Sequence, residues 1–400
     1  MVYSYVVQKG DTLFRIARRY NIHTDSIYSV NPQLKGQRYI YPGQVIQLQL
    51  PEVPKYVIQA GDTFYDIAHR FRISLTDLLA ANPGVNPRRL LIGQIIVLPL
   101  SKGMDIVDTT NDYGYVELLE DIGLLGQRYP FLQADSIGNS VLGKPIPVIR
   151  IGTGPKQVHY NGSFHANEWI TTLLLMKFLE DYANAFTGSG LLRGKNMKVL
   201  YEETSLWVVP MVNPDGVELV QEGAMPTHPY YMQLLEWNFG SRDFSGWKAN
   251  IRGVDLNDQF PANWELERDR REVAGPGPRD YTGETPLSEP EAKAIADFTQ
   301  AHDFRLVIAF HTQGQEIYWN YRDLEPPESE TIANRLAQVS RYRAIKLPES
   351  DAGYKDWFIQ QYRRPGFTVE AGIGTNPLPI SQFRSIYDDV IGLLIEGLIV

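Results

Sequence analysis

The sequence predicts an α/β protein: a mixed, largely parallel sheet flanked by helices, preceded by two small strand–helix–helix–strand modules. Three observations predict it. The first quarter carries an internal repeat, in which Tyr5-Val6-Val7-Gln8-Lys9-Gly10-Asp11-Thr12 returns as Tyr56-Val57-Ile58-Gln59-Ala60-Gly61-Asp62-Thr63. Beyond it, strand-like and helix-like runs alternate, as they do over a parallel sheet. The chain has 400 residues, 43% hydrophobic and 21% charged, enough to bury a sizeable core and divide into two or three domains.

Each repeat reads alike. Residues 5–7 are β-branched and aromatic, as a strand prefers. Gly10-Asp11-Thr12 turns the chain, and Asp11 or Thr12 caps a helix on which Leu13, Ile16, Ala17 and Tyr20 recur at helical spacing. A second short helix fits residues 24–30 and stops near Asn31-Pro32, and Gly43 leads into a last strand at 45–48. Asn82-Pro83 and Gly93-Gln94-Ile95-Ile96 repeat that ending. Short linkers, Pro51-Glu52-Val53-Pro54 and Ser101-Lys102-Gly103, mark off residues 1–50, 55–100 and 105–400.

In the last segment helices fit residues 114–129, 168–185, 289–301, 329–342 and 382–398. Strands fit 147–151, 157–162, 206–211, 304–310 and 366–370. Ser288-Glu289-Pro290-Glu291 reads as a capping box with proline in the first turn. Residues 222–250 and 261–283 are polar, aromatic and rich in Gly and Pro, and read as surface loops around a cleft.

Composition narrows the function. Lys and Arg total 38 against 47 Asp and Glu, a net charge of −9, which argues against a nucleic-acid partner. Cysteine is absent, so disulfide scaffolds, Cys-ligated zinc ribbons, Fe–S clusters and thiol nucleophiles are excluded, and a metal site must use His, Asp and Glu. The most apolar run, 390–400, is interrupted by Gly392, Glu396 and Gly397 and is too short for a membrane span. Met1-Val2-Tyr3-Ser4-Tyr5 has no basic segment followed by an apolar one; this reads as no signal peptide in this chain, and as a cytoplasmic or sporulation compartment with action on wall material.

Of seven histidines, two stand apart. His165-Ala166-Asn167-Glu168 follows a strand and opens a helix, so His165 and Glu168 share one face. His311 ends the apolar run Leu306-Val307-Ile308-Ala309-Phe310, at the carboxyl end of a strand, where α/β folds place their sites. Taken singly, the first reads equally as a helix cap and the second as a satisfied core histidine. Together they are a known catalytic zinc set with a fourth position for water. His23, His69, His159, His228 and His302 are not expected to be ligands.

Residues 1–50 and 55–100 resemble the LysM module, twice, on the Tyr-x-Val-x-x-Gly-Asp-Thr stretch, the Asn-Pro pair and the Gly-Gln ending. The resemblance implies a βααβ fold that binds N-acetylglucosamine polymers such as peptidoglycan. Further on, Val212-Asn213-Pro214-Asp215-Gly216, Trp247-Lys248-Ala249-Asn250, Arg252-Gly253-Val254-Asp255-Leu256-Asn257 and Phe367-Thr368-Val369-Glu370-Ala371-Gly372 follow in order. With the His/Glu/His set they resemble the zinc carboxypeptidase family over roughly residues 105–400. That resemblance implies the carboxypeptidase A fold and one zinc ion held by His165, Glu168 and His311. It implies Glu370 as general base and then acid, and Lys248 as the cation that steadies the oxyanion.

Departures from the family inform the substrate. The family clamps a terminal carboxylate with an Asn-Arg pair; here Asn257 is followed by Asp258, and Asn167 replaces a second arginine. Classical carboxylate recognition is therefore not expected. The family's lid tyrosine has no counterpart by gapless matching, leaving Tyr354 as a substitute. The same matching puts Lys355 at the position that sets side-chain specificity. Lys355 facing a carboxylate and Asp258 an amine suit meso-diaminopimelate. With the wall-binding repeats, this predicts a zinc peptidase cutting the γ-D-glutamyl–diaminopimelate bond of peptidoglycan stem peptides. A wall-tethered metallocarboxypeptidase, and a glycan-binding wall or spore protein without activity, are the alternatives.

Overall fold

The computed structural model describes residues 105–400 apart from residue 189. Before them it describes 2–7, 12–13, 16, 24–34, 40–41, 43–49, 55–59, 61–70, 75–82, 84–87 and 90–97. The chain forms two compact units, Met1–Asp105 and Ile106–Val400.

In the first unit each repeat closes a small antiparallel pair. Val2–Val6 pairs with Val45–Gln49, and Lys55–Val57 pairs with Ile95–Val97. The helix Thr24–Val30 lies where the sequence places it. The second repeat shows both helices, Phe64–Arg70 and Leu75–Ala80. The Thr63 hydroxyl accepts from Asp66 N (3.1 Å), the cap expected of the Gly-Asp-Thr turn. In the first repeat the counterpart of Thr63 is Thr12, but residue 15, which matches Asp66, lies outside the described residues, as do Asp11, Ala17 and Tyr20. The Asn-Pro signature has a structural reason. Asn31 binds Ile27 O and both the N–H and C=O of Gln47. Asn82 repeats this with Leu78 O and with the N–H and C=O of Val97, so one amide pins the second helix to the last strand.

The second unit is built on an eight-stranded sheet. Its strands are β1 (Gln133–Asn139), β2 (Pro145–Ile151), β3 (Lys156–Gly162), β4 (Thr204–Val209), β5 (Phe304–His311), β6 (Glu316–Tyr318), β7 (Arg343–Ile345) and β8 (Gly366–Glu370). Their order is β7-β6-β8-β5-β3-β4-β2-β1, and the central strands β8, β5, β3 and β4 run parallel. Alternate residues feed two cores. Leu306, Ile308 and Phe310 face the helices Tyr115–Arg128, Ile170–Thr187, Glu328–Ser340 and Phe383–Ile399. Phe304, Val307 and Ala309 face Pro290–Gln300 and Tyr354–Tyr362. The last helix lies close on β3: a Cβ added at Gly397 would strike the Tyr160 hydroxyl, which donates to Leu394 O (2.8 Å).

Two expectations change. Residues 222–250 and 261–283 are not wholly loop, since they contain the helices Tyr231–Trp237 and Trp264–Arg271. The capping box at Ser288 does not form. Glu289 is the N-cap, the Ser288 hydroxyl donates to Gln259, and the Glu291 carboxylate is taken by Val141 N and Asn250 Nδ2. Among the described residues no helix is long and apolar enough to cross a membrane.

Candidate metal centre

The parallel strands β3, β5 and β8 bring four reactive residues, His165, Glu168, His311 and Glu370, to one end of the sheet. After β3 the backbone bends through Ser163, which has a positive φ of 50°. Its hydroxyl and N–H bond Glu168 O, Thr171 and Thr172, which fixes the short 3-10 turn Ala166–Glu168. His165 is the N-cap of that turn and Glu168 is its last residue. His311 is the last residue of β5, and its ring stacks on Phe164.

Three donors converge. His165 Nδ1 lies 2.9 Å from Glu168 Oε1, His311 Nδ1 lies 3.0 Å from Glu168 Oε2, and the two Nδ1 atoms are 3.1 Å apart. All three side chains are buried. Two imidazole nitrogens at that separation hold at most one proton between them, so at least one Nδ1 lone pair faces a carboxylate oxygen unless a cation stands among them. His311 Nε2 is buried without a hydrogen bond among the described residues. His165 is oriented from behind, with Nε2 3.2 Å from Asp255 Oδ1. A buried His/Glu/His set with a carboxylate behind one ring fits a zinc ion. Asn376 donates to Glu168 Oε1 (3.3 Å) and to Thr312 O (2.9 Å), fixing the carboxylate.

The charges are arranged for a cation. Burial alone would lower His165, but Glu168 and Asp255 outweigh it and hold the ring at about 9. Burial likewise opposes ionisation of Glu168, yet the two histidines pull it down to about 2. His311 is lowered by burial. Glu370, at the end of β8 and in register with His311 and Glu316, is raised to about 8 by burial, then by Glu168. A divalent cation beside it would draw it back down.

Models of known families match both units. The zinc carboxypeptidase model matches residues 118–388, and the LysM domain model matches 5–49 and 56–99. The chain belongs to the zinc carboxypeptidase family. It is 49% identical over 392 residues to Gamma-D-glutamyl-L-diamino acid endopeptidase 1 of Lysinibacillus sphaericus, covering 86% of this chain and 99% of that one. It is 43% identical over 274 residues to the uncharacterized protein YqgT of Bacillus subtilis, covering 68% and 73%. Carboxypeptidase A from Helicoverpa armigera shares the fold, with a TM-score of 0.55 at 16% identity, over 99% of this chain and 96% of that one.

The remaining residues of this metallopeptidase sit around the triad. Lys248 is tied by its backbone to Pro278 O and to Ala166 N. Its Nζ lies 2.7 Å from Asp255 Oδ2 and 3.2 Å from Asp280 Oδ1. Burial opposes its charge, but Asp255, Asp258 and Asp280 hold it well above the ordinary lysine range. Asp255 was quoted in the sequence only as part of a motif. It is the buried hub, taking His165, Lys248 and the N–H of Asn257 (3.1 Å). Asn213 explains its own motif: it caps the helix Pro214–Glu222 and donates to Phe164 O and Ala249 O, joining the segments that carry His165 and Lys248.

The residues expected to meet substrate fall into two groups. Asn257 is half-buried near the hub and accepts from Tyr354 N (3.3 Å). Asn167 is buried, and its Oδ1 has no hydrogen bond among the described residues. The other three depart from expectation. Tyr354 is no lid: its ring is fully buried and its hydroxyl bonds Thr299 (2.8 Å). The Lys355 ammonium is buried, paired with Asp356 and donating to Asn320 O (2.7 Å), so it is satisfied internally. Asp258 is buried and paired with Arg271, which donates to its Oδ1 (3.0 Å) and lies 2.8 Å from its Oδ2. His159 is a buried neutral ring between Trp207 O and Asn161, pushed down to about 3 by burial.

Proposed function

We propose that this enzyme hydrolyses the γ-D-glutamyl–diamino acid bond of peptidoglycan stem peptides at a zinc centre, held on glycan by its two LysM domains. The buried donor triangle of His165, Glu168 and His311 carries the chemistry. The 49% identity along 99% of an endopeptidase named for that bond supports the substrate class.

A zinc ion held by His165, Glu168 and His311 would polarise the scissile carbonyl and acidify a water to near neutral pH. The chain's own residues do the rest. Glu370 takes the proton of the attacking water on its carboxylate and passes it to the leaving amine. Lys248 has three N–H donors, two of them directed to Asp255 and Asp280, which leaves one for the developing oxyanion. Asp255 holds both Lys248 and His165, so one carboxylate sets the spacing between cation and metal ligand. An intact ligand set with Glu370 beside it weighs against a purely glycan-binding protein.

Digestion of L-Ala-γ-D-Glu-meso-diaminopimelate peptides, followed by mass spectrometry, tests this reading. Release of L-Ala-D-Glu supports it. Release of only the last residue from longer peptides supports a wall-tethered carboxypeptidase instead.

A further inference from the structure

A second cation stands beside Lys248. Arg271 ends the helix Trp264–Arg271, and its guanidinium is docked on Asp258, with Nη2–Oδ1 at 3.0 Å and a less well aligned Nε–Oδ2 contact at 2.8 Å. Glu267 holds the same Nε at 2.8 Å. Nη1, like Nε, makes no hydrogen bond among the described residues, and its one ion-pair contact is the longer 3.6 Å to Asp280 Oδ1. The side chain is one-third exposed. Asp280 Oδ1 is therefore shared by Lys248 and Arg271, and Asp280 is itself one-third exposed with a positive φ of 66°. An exposed carboxylate on a strained backbone thus fills the position between two cations.

We propose that Arg271 is a specificity-determining residue, whose Nη1 pairs with a substrate carboxylate that takes the place of Asp280. This rests on the proposed γ-D-glutamyl substrate, in which carboxylates flank the scissile bond on both sides: the α-carboxylate that a γ-linked glutamate leaves free, and those of the diamino acid. A guanidinium pre-set by Asp258 loses little freedom on pairing with one of them. Asp258, buried and bound to Arg271, is a positioning residue.

The test uses four stem peptides and the full-length zinc-loaded enzyme. One peptide is fully charged, one has the D-glutamyl α-carboxylate as an amide, and one has the diamino acid α-carboxylate as an amide. The fourth replaces diaminopimelate with lysine. Wild type should discriminate against one of the three altered peptides by about 30-fold or more in kcat/KM. Arg271→Gln should collapse that one ratio towards unity and leave the other two unchanged, and Arg271→Lys should restore part of it. The same ratios should appear as Kd for intact peptide in a Glu370→Gln background. Zinc content and thermal unfolding report whether Arg271→Gln keeps its fold; if it does not, Arg271→Lys carries the comparison. The inference is overturned if the Arg271 variant examined keeps every wild-type ratio, whatever its rate, or if wild type discriminates against none of the three. If wild type cuts no peptide at the γ-D-glutamyl bond, the functional reading itself fails and this inference with it.

Discussion

Glu370 and Asp255 divide the chemistry at the scale of single residues. Glu370→Gln keeps the shape but cannot accept a proton, so kcat should fall at least 10²–10⁴-fold, roughly the range for a lost general base, with zinc retained. Near-normal turnover in that variant would remove Glu370 from the mechanism. Asp255→Asn keeps the size but turns one accepting oxygen into an NH2 donor and removes the charge that holds His165 and Lys248. Zinc affinity should drop about 10–100-fold, as titration against a competing chelator would show. The protonation states give a third expectation. Without metal, His165 at about 9 and Glu370 at about 8 both carry protons at pH 7, so zinc binding should release at least one, measurable by calorimetry in buffers of different ionisation enthalpy. The sign carries over to stability. Both groups sit above their ordinary 6.5 and 4.5, so at these two sites the folded metal-free protein binds more protons than the unfolded chain. The His165 contribution is complete below 6.5 and is lost as pH rises through about 9, while Glu370 adds a loss between 4.5 and about 8. Chelated protein should lose Tm over that rise and zinc-loaded protein should lose less; equal slopes would contradict the protonation scheme.

At the scale of elements, the repeats offer a clean perturbation. Asn82→Ala removes three hydrogen bonds, one to the helix Leu75–Ala80 and two to the strand Ile95–Val97, at about 1 kcal/mol each. A domain this small has little stability to lose, so the second repeat should unfold at a lower temperature while the catalytic transition stays put in calorimetry. How much of the fold was legible follows from the same elements. Long apolar strands such as Phe304–His311 and helices such as Tyr115–Arg128 read directly from period and length. β1, Gln133–Asn139, was missed because it is an exposed, polar edge strand, and β6 and β7 because they are three residues long. The helix Trp264–Arg271 was read as loop because six of its eight residues are charged, leaving no apolar stripe to see. That hid Arg271, the partner of Asp258. The cluster of His165, Glu168 and His311 is legible because two strand ends and a three-residue spacing announce it. The pairing of Lys355 with Asp356 was not, since a sequence neighbour gives no sign of which side chain turns inward.

At the scale of the whole molecule, two glycan-binding modules on one catalytic unit describe an enzyme brought to a polymer by avidity. Deleting residues 1–100 should weaken sedimentation with insoluble peptidoglycan and leave kcat/KM on a small soluble stem peptide within about twofold, since avidity acts only on the polymer. A folded truncation that has lost activity on the soluble peptide would make the repeats part of the active site instead. The central claim, a zinc-dependent cut at the γ-D-glutamyl bond, is tested most directly by one digestion. Purified protein, its zinc content known, is incubated with L-Ala-γ-D-Glu-meso-diaminopimelate before and after chelation, and the products are weighed by mass spectrometry. The account predicts L-Ala-D-Glu and free diaminopimelate from the zinc-loaded enzyme, none after chelation, and recovery when zinc is returned. Undiminished cleavage in demonstrably metal-free protein, or an intact γ-D-glutamyl bond in the presence of bound zinc, would contradict it.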